Sequence, residues 1–169
     1  TGIATAQAKA GDVKAALATA KTIERTDNRA EALTGIATAQ AKAGDVKKAK
    51  KTFVQALASA KTIEDANDRA EALTGIATAQ AKAGDVKAAF ATAKTIEDAD
   101  IRAEALTDIA TAQAKAGDVK AALATAKTIE DADDRAEALT GIATAQAKAG
   151  DVKEALASAK TIEDADDRA

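Results

Sequence analysis

The chain has 169 residues, 24 of them basic and 27 acidic, and its net charge of −3 at pH 7 argues against general nucleic-acid binding. It contains no His, Cys, Tyr or Trp, so an imidazole base, a thiol nucleophile and a disulfide are all missing. The remaining acids, lysines and threonines form no triad and no phosphate loop, and the chain reads as a non-enzyme that needs no cofactor and no metal. No apolar run approaches membrane-spanning length, and no secretory leader is visible. Met is absent even at position 1, which reads as a processed product, an excised fragment or an incompletely read chain.

One landmark organises the sequence. Gly-Asp-Val recurs at Gly11, Gly44, Gly84, Gly117 and Gly150, at spacings of 33, 40, 33 and 33 residues. A fixed period in the 30s, with two apolar-periodic segments in each, predicts a stack of helical hairpins. The opening TGIATAQAKA reads as a first helix lacking its initial turn, with Ile3 on its apolar face. A second helix follows over about residues 12–24, and ERTDNR is the linker to the next unit.

The second unit holds the only insertion. Its second helix, DVKKAKKTFVQALASAKTIED, is seven residues longer than its sisters. Seven residues make close to two turns, which lengthens the helix by about 10.5 Å without rotating its faces. The expected apolar stripe is Val46, Ala49, Phe53, Leu57 and Ala60. Away from it lie Lys47, Lys48, Lys50 and Lys51, a basic cluster that reads as a solvated face or as a patch for an acidic partner.

The third unit shows the pattern most plainly. Leu73, Ile76, Ala77 and Gln80 share one helical face, and Val86, Ala89, Phe90, Ala93 and Ile96 share another. Asp68 stands three residues before Glu71, as Asn28 does before Glu31 and Asp134 before Glu137, which predicts capping boxes at the starts of first helices. Gly84 should close the first helix at positive φ and Asp85 should cap the second, so that the two run antiparallel. The acidic linkers between units fall along one edge of the array, and the short Gly-Asp turns with their lysines along the other.

Opposite the Leu73/Ile76 face lie Glu71, Thr74, Gly75, Thr78 and Lys82. Neighbouring units repeat the hydroxyls as ladders, Thr34, Thr74, Thr107, Thr140 and Thr38, Thr78, Thr111, Thr144. Gly35, Gly75 and Gly141 lie beside them. Mid-helix glycine costs up to about 1 kcal/mol relative to alanine, so close backbone approach by a ligand is one reason to keep it; copying of a neutral residue is another. Unit four departs in two places: Ile101 replaces the expected capping residue, with Asp100 as a substitute, and Asp108 replaces the glycine. Asp131, Asp133, Asp134 and Glu137 have the composition of a calcium loop but lack its glycine and distant bidentate glutamate, and capping accounts for them. The final helix, about residues 151–163, presents Val152, Leu156 and Ile162 with no following first helix. These residues and Ile3 form the two halves of an internal interface and suggest end-to-end contact.

The stretch AEALTGIATAQAKAGDVKAAFATAKTIED resembles a tetratricopeptide repeat, and the resemblance covers essentially the whole chain. Leu73 stands where that family prefers a large aromatic, Ile76 and Ala77 stand for its Leu-Gly, and Gln80 for a Tyr. Gly84 and Asp85 match its inter-helix turn, and Ala89 its small second-helix residue. The departures are the missing proline after the second helix, a short unit one residue under the usual length, and the near-absence of aromatics. The resemblance implies an all-α fold, a right-handed α-solenoid of about five units (about 1–28, 29–68, 69–101, 102–134 and 135–169) forming one domain. It also implies a concave groove for a protein or peptide, lined by the threonines above. The family's carboxylate clamp is not carried over, because Thr74, Thr78 and Gly75 occupy its positions. The functional expectation is a protein- or peptide-binding scaffold with no nucleic-acid or membrane partner. The alternatives are a structural protein that stacks head to tail and a consensus-like engineered array with no natural ligand.

Overall fold

The computed structural model describes residues 1–166, with side chains to residue 160. Ten helices follow one another among the described residues: α1 (Gly2–Lys9), α2 (Val13–Lys21), α3 (Thr26–Lys42), α4 (Val46–Ala60), α5 (Ala66–Lys82), α6 (Val86–Ala93), α7 (Ala99–Lys115), α8 (Val119–Ala126), α9 (Ala132–Ala149) and α10 (Val152–Asp166). Each helix packs against the next in sequence. The odd-numbered helices also pack on one another, α1 on α3, α3 on α5, α5 on α7 and α7 on α9, while among the described residues the even-numbered ones do not. The molecule is thus a helical repeat array with one continuous layer of odd helices.

Each hairpin turn follows from its Gly-Asp pair. Gly84 adopts φ +81°, a conformation open to glycine, and the other four landmark glycines match it. Asp12, Asp85 and Asp118 accept a hydrogen bond from the backbone N–H three residues on, capping α2, α6 and α8. Asp45 holds the same position but turns its carboxylate to Lys48 at 2.6 Å. Alanine makes up much of the core. Leu73, Ile76, Ala77 and Gln80 are all buried, as the helical spacing requires, and α5 packs on α6, where Ala89 and Ala93 are buried too.

A buried polar rung closes most of the hairpins. Thr52 Oγ1 donates to Gln40 Oε1 at 2.7 Å and Thr92 Oγ1 to Gln80 Oε1 at 2.8 Å. Ser158 with Gln146 repeats it, and Thr19 with Gln7 makes a half-buried version. Gln113 Oε1, by contrast, is buried without a partner. The signal for these rungs lies in the sequence as Gln followed twelve residues later by Thr or Ser, but the apolar periodicity alone does not expose it.

The helix starts differ from the expected capping boxes. The caps are Asp65, Asp98 and Asp131, three residues earlier than Asp68 and Asp134, and each accepts from two backbone N–H groups. In α3 the cap position is Arg25, without a side-chain cap, and not Asn28. The earlier aspartate wins because the intervening Ala-Asn-Asp or Ala-Asp-Asp is itself compatible with a first helical turn, which adds hydrogen bonds to the helix. Ile101 consequently replaces no cap; its own N–H is one of the two that Asp98 receives.

Second helices also end earlier than their apolar spacing suggests. α6 stops at Ala93, so Ile96 sits beyond it in the connection, and it is nevertheless fully buried, as is Ile129. An arginine from the next helix holds each corner. Arg69 Nη1 donates to Ile63 O at 2.8 Å, Arg102 to Ile96 O at 2.8 Å and Arg135 to Ile129 O at 2.9 Å, with second bonds to the following glutamate carbonyl. Arg29 does the same for Ile23 O. A guanidinium bound to a carbonyl is a charge-assisted hydrogen bond, and losing one costs about 1.5–3 kcal/mol. Arg102→Met, which keeps the apolar stem, is therefore expected to destabilise the chain by about that amount in urea unfolding. No change in the midpoint would show that the corner does not depend on this contact.

Candidate functional site

The expected groove residues belong to the odd helices and share one face of that layer. Glu71, Gly75, Lys82, Asp108, Thr140 and Thr144 are exposed, and Thr34, Thr38, Thr74, Thr78, Thr107 and Thr111 are half-buried. The structure does not treat the ladder evenly. Thr34, Thr38 and Thr140 turn their hydroxyls back to the carbonyl four residues earlier in their own helix. Thr78 instead donates across the seam to Asp108 Oδ2 at 3.0 Å, tying α5 to α7. The Thr74 hydroxyl oxygen is buried and has no partner.

The glycines beside the ladder have two different environments. A methyl group added at Gly35 would lie 2.7 Å from Thr5 Oγ1, and one at Gly141 would lie 2.6 Å from Thr111 Oγ1. These two glycines admit the neighbouring helix, so the ligand explanation does not apply to them. Gly75 is the exception: nothing lies within 4 Å of where its methyl group would be. It occupies the same place in α5 that Gly35 occupies in α3, yet the neighbour that fills that space elsewhere is missing.

Two further positions show the same loosening of the α3–α5 seam. Ala32, Ala105 and Ala138 are fully buried, whereas Ala72, their counterpart in α5, is only partly so. Ala8, Ala81 and Ala114 are buried, whereas Ala41, their counterpart in α3, is partly uncovered. α3 and α5 are joined by α4, the helix with seven more residues than α6 or α8 (15 against 8). The corner after α4 keeps its arginine contact, so the looser seam coincides with the one second helix that carries two added turns. The space left behind is a cleft of about 920 Å³, lined by Glu31, Thr34, Thr38, Lys42, Glu71, Thr74 and their neighbours. A second cavity of about 580 Å³ continues from it past Thr78 and Lys82 to Asp108. Thr107, Thr111, Thr140 and Thr144 line neither cavity.

The electrostatics of the cleft are uneven along its length. The Arg25 side chain holds the Asp27 carboxyl below the usual carboxylate range, first through its hydrogen bonds at 2.6 and 3.1 Å and then with help from the Asn28 N–H. Glu31, Asp68 and Glu71 are exposed at that end, and Lys9 and Lys42 at the other.

The Lys cluster does not act as one surface. Lys48 pairs with Asp45, and Lys50 reaches Asp85 at 2.9 Å, linking α4 to the cap of α6. Lys47 and Lys51 are exposed without an ion pair among the described residues. Of the expected stripe on that helix, Ala49, Phe53 and Ala60 are buried and Leu57 half-buried. Val46, in the first turn, is 46% exposed and so lies outside the buried part of the stripe.

Along the acidic edge, desolvation and then the nearby Asp131, Asp100, Glu137 and Asp133 raise the Asp134 pKa above the usual carboxylate value. A carboxyl raised in this way favours folding while protonated, and the contribution is lost as pH rises through the folded pKa. Asp134→Asn is accordingly expected to raise the melting temperature at pH 7 and leave it unchanged at pH 3. An equal effect at both pH values would contradict a charge origin.

At the ends of the array, Ile3 is 71% exposed, Val152 58% and Leu156 61%, while Ile36, Ile76, Ile109 and Ile142 at the position of Ile3 are buried. The Ile162 side chain lies outside the described residues.

No protein-family model, no curated protein and no solved structure matches this chain.

The two kinds of glycine make a direct test of the seam. Gly75→Ala is expected to stabilise the protein by up to about 1 kcal/mol, the helix preference of alanine over glycine. Gly141→Ala should stabilise less or destabilise, because the methyl group meets Thr111. Equal melting shifts for the two variants would mean that the α3–α5 seam is as tight as the α7–α9 seam.

Proposed function

We propose that the chain is a non-enzymatic scaffold, a tetratricopeptide-like array that binds a protein segment in extended conformation along the face of its odd helices. The observation that carries this reading is the cleft of about 920 Å³ on that face, continued by the cavity of about 580 Å³. Pockets of about 300–1,000 Å³ are of a size that holds a ligand, and a mixture of methyl groups, hydroxyls and separated charges suits a peptide backbone with short side chains. The likeness of residues 70–98 to tetratricopeptide repeats supports the same assignment.

The test is a selection of random displayed peptides on the whole chain. Peptides that enrich should lose at least tenfold in affinity when Thr38, Thr74 and Thr78, which line the two cavities, are replaced by Glu, with circular dichroism unchanged. Failure to enrich any peptide over a control helical protein, or unchanged affinity in the triple variant, would remove the groove as the binding surface.

Exposed Ile3, Val152 and Leu156 favour a second reading, end-to-end stacking of copies. Sedimentation up to millimolar concentration should then show a growing mass that Leu156→Glu abolishes. A monomer throughout would eliminate it.

A further inference from the structure

The cleft between α3 and α5 combines three features found together at no other seam among the described odd helices. The packing is open, as Gly75 and the half-covered Ala41 and Ala72 show. A hydroxyl oxygen, that of Thr74, is buried there without a partner. Carboxylates and ammonium groups stand at opposite ends. Glu31 and Lys42 are eleven residues apart on α3, and Glu71 and Lys82 on α5. That offset is about three turns, or about 16.5 Å, and returns both side chains to the same face. Glu31, Glu71, Asp68, Lys9 and Lys42 are exposed and make no ion pair with one another, so their charge is directed to solvent in the cleft.

An extended chain advances about 3.3 Å per residue, so about five residues span this distance. A cation placed near Glu31 and Glu71 thus stands about five residues from an anion near Lys9 and Lys42. The other odd helices carry the same pairing, as Glu104 with Lys115 and Glu137 with Lys148 show. Their seam, however, is closed by Thr111 against Gly141, and there the charges have no cleft between them.

Resting on the groove reading above, we infer that the α3–α5 cleft is a specificity pocket for a dipolar peptide, one with a basic side chain and an acidic side chain five positions apart. The heptad added to α4 creates it. Like charges at both ends of the ligand are rejected, because one end then meets its own sign across a short, partly enclosed distance. The ligand's chain direction follows from which end carries the base, since α3 and α5 both run from the acidic end to the lysine end.

Fluorescence anisotropy with capped hexapeptides tests this on the full chain. The probes are Arg-x4-Glu and Glu-x4-Arg, in which x is Ala or Thr, with Arg-x4-Arg and Glu-x4-Glu as controls. One dipolar peptide is expected to bind at least tenfold more tightly than either control, and less tightly as salt rises. Glu31→Lys with Glu71→Lys should transfer the preference to Glu-x4-Glu. Deleting residues 50–56 leaves VKKALASAK, which copies residues 152–160 at all but one position, and Ser59 then takes the place of Thr52 opposite Gln40. This variant should retain its helicity and lose at least tenfold in dipolar-peptide affinity.

Equal binding of all four peptides, no binding at millimolar peptide, or undiminished binding by a helical deletion variant would overturn the inference. If displayed peptides still depend on Thr38, Thr74 and Thr78 under any of those outcomes, the groove stands and only the dipolar cleft falls. If the deletion variant does not fold, the double Glu→Lys variant decides alone, and an unchanged preference in it overturns the proposal.

Discussion

The corner between one hairpin and the next is the constraint on which the array depends. At the corners before α5, α7 and α9 an aspartate caps the incoming helix, an isoleucine beyond the end of the outgoing one is buried, and an arginine holds that isoleucine's carbonyl. All four carbonyl groups at a helix C-terminus lack partners within the helix, and a buried corner must satisfy them some other way. At the end of α4 the backbone N–H groups of Lys61, Thr62 and Ile63 take the carbonyls of Leu57, Ser59 and Ala60, and the Arg69 guanidinium takes the next two, those of Ile63 and Glu64. Each corner therefore fixes the direction of the next helix locally, with little dependence on what lies on either side.

The one change of helix length in the array falls beside its one open seam. α4 gains two turns, and the corner that follows it is unaltered, with Arg69 on Ile63 as Arg102 is on Ile96. The extra length buries Phe53 and brings Lys50 to Asp85, so α4 itself is well supported. The consequence falls on the next seam. Alanine and glycine pack tightly only when the backbones come close, and they have no long side chain to fill a gap when the backbones do not. An array built from larger residues would close part of such a space. Here it stays open as the cleft beside Gly75.

Much of the fold was legible in the sequence. The hairpin turns at Gly84-Asp85 and its copies, the antiparallel pairing and the buried face of Leu73, Ile76, Ala77 and Gln80 all follow from residue type and spacing. The insertion was visible as one spacing of 40 residues among three of 33, with its seven residues and two turns. The groove threonines were visible as ladders, but which of them meet a cavity was not. Thr74 and Thr78 do, whereas Thr111 meets the site of Gly141, and Asp108 takes a hydroxyl from its own chain. Identical local sequences around Gly35 and Gly75 have opposite surroundings, so no reading of one unit separates them.

The sequence by itself determined where helices form, how each hairpin closes and how many residues separate one corner from the next, because propensity, turn geometry and capping act within a few residues. Tertiary structure decided that Ile96 is buried outside any helix and that Gly75 borders open space. Those outcomes depend on how closely helices some thirty to forty residues apart approach one another. That distance is set by the corners and by the length of α4 together, and it is written at no single position in the chain.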